Sequence, residues 1–301
     1  MSEHNHQHAT ASKNLIWSIG INSIIVVFEI IFGLISRSFA LITDALHNVT
    51  DIGSMILSLW GEKLADKPQT ETKTYGYKRA EVIIAFVNGG ALLAIVGFVL
   101  VGAIIRIFKP EPVSGLTMMI VAGVALFGNG VATYLLQKGA DKNLNLKSAW
   151  LHSMQDALFS LGVVVSAIII YFTGWSWLDP IVSIIISIFL LKEIFSILFE
   201  AVDMMLDSVP KDLNFSDVKA SLSAISGVIE IDDVHIWQTG SANRFLSAHL
   251  IITEEVKQNR IKLLSSAIGL VREKYNIHHP TIQIVSEEEI KETNLECEHC
   301  N

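Results

Sequence analysis

Six apolar blocks, at roughly residues 14–36, 40–64, 81–107, 115–136, 148–173 and 179–203, decide what this chain can become. Each is long enough to cross a hydrocarbon core of about 30 Å at 1.5 Å per residue, so the first two thirds of the chain reads as six membrane-spanning helices. Composition agrees. Only 17% of the 301 residues are charged and 51% are hydrophobic, against about 25% charged in an ordinary soluble protein. The N-terminal MSEHNHQHATASKN has no basic region followed by a short apolar run and a small-residue cleavage site, so it does not read as a secretory signal peptide. Lys63, Lys67, Lys73, Lys78 and Arg79 lie between spans 2 and 3, and Lys138, Lys142 and Lys147 between spans 4 and 5. The opposite loops offer only Arg37, Arg106 and Lys109. By the positive-inside bias both termini are expected in the cytoplasm. The formal net charge of −8 argues against nucleic-acid binding. Two cysteines, both near the C-terminus, exclude a disulfide framework.

The costly residues are the informative ones. An ionisable group near the bilayer centre costs roughly 2.5–3.5 kcal/mol even on the milder insertion scales. Yet span 2 contains LITDALHNVTD, with His47 and Asp51 four apart, and span 5 contains SAWLHSMQDALFS, with His152 and Asp156 four apart. Residues i and i+4 share a helix face. Asp44, Asn48, Ser54, Ser58 and Glu62 extend the polar stripe on span 2, as Ser148, Gln155 and Ser160 do on span 5. Two imidazole nitrogens and two carboxylate oxygens suit a four-coordinate Zn²⁺ site, and two carboxylates balance the charge of the ion. Carboxylates alone would favour Mg²⁺ or Mn²⁺, and thiolates Cu(I). The competing reading of such pairs is hydrogen bonding that holds helices together.

From about Leu206 the pattern changes to that of a soluble domain. Pro210 is expected to break the last span. NFSDVKASLSAI reads as a capped helix, VIEIDDVHIW and RFLSAHLIIT as strands around QTGSAN, residues 256–275 as a helix and HHPTIQIV as a third strand. The order is αββαβ. The expected fold class is therefore an α-helical membrane protein with a small α+β domain. The expected boundaries are a histidine-containing arm at 1–13, a six-helix transmembrane domain at 14–206, the α+β domain at 207–287 and a tail with the CxxC at 288–301.

The motifs LITDALHNVTD, WLHSMQDALFS, TYGYKRAEVIIAFVNG and DVHIW…LSAHL…HHPTIQ together resemble the cation diffusion facilitator family, in its zinc-transporting branch. The resemblance spans about residues 14–285. It implies a homodimeric zinc/proton antiporter whose cytoplasmic domain is ferredoxin-like, with His47, Asp51, His152 and Asp156 as transport-site ligands and Asp44 outside the set. Manganese-type relatives carry a carboxylate where this chain has His47, so zinc is favoured, with cadmium or cobalt as further cargo. His249 and His278 stand where relatives bind regulatory zinc. Asp232 replaces a histidine common there, and Val285 replaces a carboxylate that some relatives supply. His235 reads as a packed structural histidine. Arg79 matches a basic residue that pairs, in the family, with an acidic residue at the position of Asp207.

Cys297 and Cys300 form a lone CxxC, half of a metal site, to which His4, His6 and His8 are candidate companions. Lys192 and Glu193, inside span 6, have no role beyond snorkelling or pairing within a dimer. The expected partners are Zn²⁺, protons, the lipid bilayer and a second copy of the chain, and the expected location is a bacterial inner membrane. Two other readings compete. An intramembrane zinc enzyme would keep an open coordination position and a general base, and a non-transporting metal-sensing subunit would lack transport ligands.

Overall fold

The computed structural model describes residues 23–65, 67–140, 144–240 and 243–293. Helix α1 covers Ser23–Ser36. It is followed by α2 (Phe39–Ala65), α3 (Ala80–Phe108), α4 (Gly115–Ala140), α5 (Leu144–Thr173) and α6 (Leu178–Met205). Among the described residues α3, α4, α5 and α6 are long and apolar enough to cross a membrane. Helix α2 has the length, at 27 residues, but His47, Asp44, Asn48 and Asp51 dilute its apolar character. The chain divides into two compact units. Of the described residues, one comprises Ser23–Leu57 together with Val87–Ile197, the other Ser58–Phe86 together with those from Leu198 to Thr293.

The first unit is inside-out relative to a soluble protein. Phe98, Phe127 and Phe172 are each at least three-quarters exposed, whereas Glu29, Asp44, His47, Asp156 and Asp179 are buried. Lipid tails satisfy the first set, and the second must find partners within the protein. The start of α2 shows how. Arg37 adopts a left-handed φ of 55° and turns the chain out of α1. Ser38 then caps α2 by accepting from the Leu41 amide at 3.1 Å. Asp179, at the start of α6, accepts from the amides of Phe39 at 2.8 Å and Ala40 at 3.2 Å and from the Ser38 hydroxyl. One carboxylate thus satisfies amide donors that α2 cannot satisfy itself and complements its positive end. Gly115 brings α4 against α5 so closely that a Cβ there would lie 2.7 Å from the Tyr171 amide nitrogen.

The second unit carries α7 (Phe215–Ser223), β1 (Val228–Gln238), β2 (Arg244–Ile252), α8 (Arg260–Tyr275), β3 (His279–Ser286) and α9 (Glu287–Thr293). The sheet order is β1-β2-β3, with β1 antiparallel and β3 parallel to β2. Val218 and Leu222 of α7 and Leu263, Ala267 and Val271 of α8 bury against Ile231, Leu246, Leu250 and Ile252 of the sheet. Asn214 caps α7, its side chain accepting from the amides of Ser216 and Asp217, and Asn276 closes α8 in the left-handed conformation.

Three expectations need correction here. Helix α6 stops at Met205, and Asp207 with φ 56° makes the turn, so the break precedes Pro210. The segment expected to be tail begins instead with α9. Its signal is the capping box Ser286–Glu289: the Ser286 amide donates to Glu289 Oε2 at 2.9 Å and the Glu289 amide to Ser286 Oγ at 3.4 Å. His235 is exposed rather than packed, its ring 2.8 Å from Asp233 Oδ1.

Arg260 grips both Glu289 oxygens at 2.7 and 2.8 Å, and that bond, with the Ser286 amide, pulls the Glu289 carboxyl down to about 2 from the ordinary 4.5. A depressed folded-state value adds stability above the unfolded value, and that stability is lost as the pH falls through the folded one. The docking of α9 should therefore be intact above pH 4.5 and fade toward pH 2. Glu289→Gln should free α9 at neutral pH, read as faster amide exchange at residues 287–293 with the sheet amides unchanged.

Candidate metal centre in the membrane helices

The 3.6-residue period turns His47 and Asp51 to one face of α2, and His152 and Asp156 to one face of α5. The two faces meet. His47 Nε2 lies 2.9 Å from Asp156 Oδ1 and 3.9 Å from Asp51 Oδ2. His152 Nε2 lies 3.4 Å from Asp51 Oδ2 and 3.9 Å from Asp156 Oδ2. Bonds of 2.0–2.2 Å in a tetrahedron put neighbouring ligand atoms about 3.4 Å apart, and these separations bracket that value. Among the described residues, His47, Asp51 and Asp156 form a group whose ligand atoms lie within 4.8 Å of one another. His152 sits at the mouth, its side chain 44% exposed while that of His47 is wholly buried. A deep histidine, a half-exposed one and two carboxylates between them set nitrogen and oxygen donors side by side.

The surroundings hold the deep end rigid. Phe159 packs edge-on against the His47 ring, centroids 5.2 Å apart. Asp44 stays outside the group, accepting from Ser160 Oγ at 3.1 Å, and Ser160 is itself approached by Asn129 of α4 at 3.5 Å. Two carboxylates have places that the sequence did not suggest. Glu193 on α6 puts Oε2 4.0 Å from His47 Nδ1 and accepts from Gln155 at 2.8 Å. Among the described residues Nδ1 is buried without a hydrogen bond, and Glu193 carries the carboxylate nearest to it among the ion pairs of the site. A ligating histidine needs its second nitrogen oriented, and loss of such a partner typically costs 10–100-fold in affinity. Glu193→Ala should weaken metal binding by about tenfold or more, measured by calorimetry on purified protein, with Glu193→Gln recovering part of the loss. Glu29, on α1, is the other: a single carboxylate in an apolar run makes no motif. The side chains of Ser54, Ser58, Glu62 and Ser148 lie outside the described residues.

In the second unit, Asp232 is paired with His249 in strand register. A bulge follows, however, and Asp233 with φ 49° turns its Oδ2 to 3.7 Å from His249 Nε2. His278 is exposed just before β3. Among the described residues, no group of three or more ligand atoms converges in this unit as the group in the membrane helices does. Arg79 donates to Asp207, as expected. Cys297, Cys300, His4, His6 and His8 lie outside the described residues.

Residues 15–206 match the family described as cation efflux transmembrane domain, and residues 210–287 the cation efflux protein cytoplasmic domain. The chain is 30% identical over 297 residues to a "Cadmium, cobalt and zinc/H(+)-K(+) antiporter" of Bacillus subtilis, covering 98% of this chain and 96% of that one. It is 34% identical over 285 residues to the zinc transporter ZitB of Pectobacterium atrosepticum, covering 93% and 88%. It is 29% identical over 281 residues to the metal cation efflux system protein CzcD of Cupriavidus metallidurans, covering 93% and 89%.

Proposed function

Because the chain belongs to the cation efflux family, we propose that it exports Zn²⁺, with Cd²⁺ and Co²⁺ as further cargo, from the cytoplasm in exchange for protons by alternating access. That it is an integral membrane protein for metal cation efflux, and not an enzyme, follows from the family and its relatives. The observation that carries the finer reading is the convergence of His47, Asp51 and Asp156, with His152 at the mouth, on two facing membrane helices. Mixed nitrogen and oxygen donors in that number favour Zn²⁺ over Mg²⁺ or Mn²⁺, which prefer oxygen alone. In the transport step the carboxylates of Asp51 and Asp156 balance the charge of the ion, and the imidazoles supply bonds that a proton can break. The name of the Bacillus subtilis relative, which pairs zinc, cadmium and cobalt with protons and potassium, supports the proton side of this exchange.

Both termini face the cytoplasm of a bacterial inner membrane in this reading, and the α+β domain joins two copies of the chain. The match of residues 210–287 to the cytoplasmic domain of cation efflux proteins supports both the location of that domain and dimerisation. For the regulatory zinc position expected at His249, His278 and Asp232, the approach of Asp233 to His249 favours Asp233 over Asp232 as the carboxylate, whereas His279, next to His278, pairs with Phe245, four residues from His249 along β2, so one chain by itself does not bring the two histidines together. The test is metal uptake into proteoliposomes holding the purified protein, with Zn²⁺, Cd²⁺, Co²⁺ and Mn²⁺ offered in turn. Zinc, cadmium and cobalt should enter and manganese should not. Manganese entering as fast as zinc would overturn the assignment of cargo.

A further inference from the structure

Among the described residues, the three most buried carboxyls of the membrane helices outside the metal group have different fates. Asp179 spends its oxygens on the start of α2, and Asp44 accepts from Ser160. Glu29 is fully buried. Its Oε2 accepts from Asn48 Nδ2 at 3.1 Å, while its Oε1 has no hydrogen-bond partner among the described residues. Among the described residues, the ionisable side chains that bear on it are Asp44 on α2 and Asp156 on α5, both carboxyls. Helix α4 offers no counter-charge: the groove of about 560 Å³ beside Glu29 is walled there by Leu116, Thr117, Ile120 and Val121. Neighbouring positions on α1, such as Phe28 and Ile31, face outward. A carboxylate in such a place would hold its charge with one neutral donor and, among the described residues, no cation, whereas a carboxylic acid can stay there, because neutralisation is the usual answer to burial without a partner.

We propose that Glu29 is a proton-carrying site of the efflux cycle, separate from the metal ligands. The proposal rests on the proton-coupled reading above. In the sealed, metal-free arrangement of the return step the carboxyl holds a proton on Oε1. When the cycle hydrates it, the O–H bond breaks, the proton passes to water on the cytoplasmic side and the carboxylate is left behind. The carboxylate takes a proton from water on the other side before the helices close again. Asn48 supplies the coupling. It holds Oε2 and directly follows the ligand His47 on α2, so a movement of α2 that opens the metal group also strains the Glu29–Asn48 bond.

The test is Glu29→Gln, a permanently neutral side chain of the same shape, in proteoliposomes. Zinc-for-zinc exchange, which needs no net proton movement, should stay near the wild-type rate, while the number of protons moved per zinc ion should fall by one. An unchanged ratio would overturn the proposal. The two readings fail differently: wild-type protein that ignores a pH difference removes proton coupling itself, whereas wild-type protein that obeys it alongside an unaltered variant removes only the role of Glu29. Infrared difference spectra of wild-type protein, zinc-loaded against zinc-free, decide the matter even where the variant does not fold. They should contain a carboxylic-acid carbonyl band that shifts when glutamate alone carries ¹³C in its side-chain carboxyl, and absence of that shift would also overturn the proposal.

Discussion

Asp156→Ala and Asp51→Ala are each expected to abolish zinc transport while the protein stays folded in the membrane. Asp156 is the hydrogen-bonded partner of His47 and Asp51 the nearer carboxylate to His152. With both present, a bound Zn²⁺ is formally neutralised. With one removed, a net positive charge remains in a poorly solvated place. Removing one partner of a buried ionic pair costs roughly 3–5 kcal/mol, which is on the order of a hundredfold or more in affinity. A transporter that binds its cargo that much more weakly stops working at low cargo concentrations. Size-exclusion profiles and membrane levels of the variants should match wild type, because α2 keeps its Asp179 cap and α4 its close packing on α5. Transport near the wild-type rate by either variant contradicts the four-ligand account.

Substituting both His47 and His152 by asparagine should have the second large effect, weakening zinc binding and flattening its competition with acid. Metal binding requires each imidazole to be neutral, and an unperturbed imidazole titrates near pH 6.5. Proton and metal therefore compete for Nε2 of each ring, the atom that faces the carboxylates in both cases. The competition is also an exchange of charge. Loaded with Zn²⁺, the two carboxylates are balanced; emptied, they leave about two negative charges, and two protons on the imidazoles restore the balance for the return step. An asparagine amide binds no proton in this range, so zinc affinity in the double variant should be lower and nearly independent of pH between 5.5 and 7.5, roughly one unit to either side of the unperturbed imidazole value. Affinity measured by competition with a zinc-binding dye across that interval checks the expectation. A wild-type pH slope retained without the histidines would place the competing protons elsewhere.

How far the sequence revealed this arrangement depends on the distance over which each feature is encoded. The His–Asp pairs were legible because i, i+4 spacing on a helix is a local fact, and their cost in an apolar span made them conspicuous. The αββαβ order was legible for the same reason, through the alternation in VIEIDDVHIW and the capping Asn214. Contacts between distant segments were not. The cap of α2 by Asp179 joins residues 140 apart in the chain, and the approach of Glu193 to His47 depends on how α6 is rotated. The place of Asp233, rather than Asp232, beside His249 comes from a bulge that alternation does not foresee. Glu29 was missed for a different reason. One carboxylate among FEIIFGL has no partner at helical spacing, and only its burial, with Asn48 on one oxygen and nothing on the other, gives it meaning. The box formed by Ser286 and Glu289 was present in the sequence, and the run of acids around it disguised a helix start as a solvated tail.

The most direct test of proton-coupled zinc efflux is zinc uptake into proteoliposomes with the pH difference across the bilayer set, then reversed, then collapsed. Zinc should move against the proton flow in the first condition, reverse direction in the second, and in the third fall to the rate driven by its own gradient. The same three conditions applied to Asp156→Ala should give no protein-dependent flux. Zinc flux in the wild-type protein that is the same in all three conditions would contradict antiport and leave a channel-like or facilitated route through the same group of ligands.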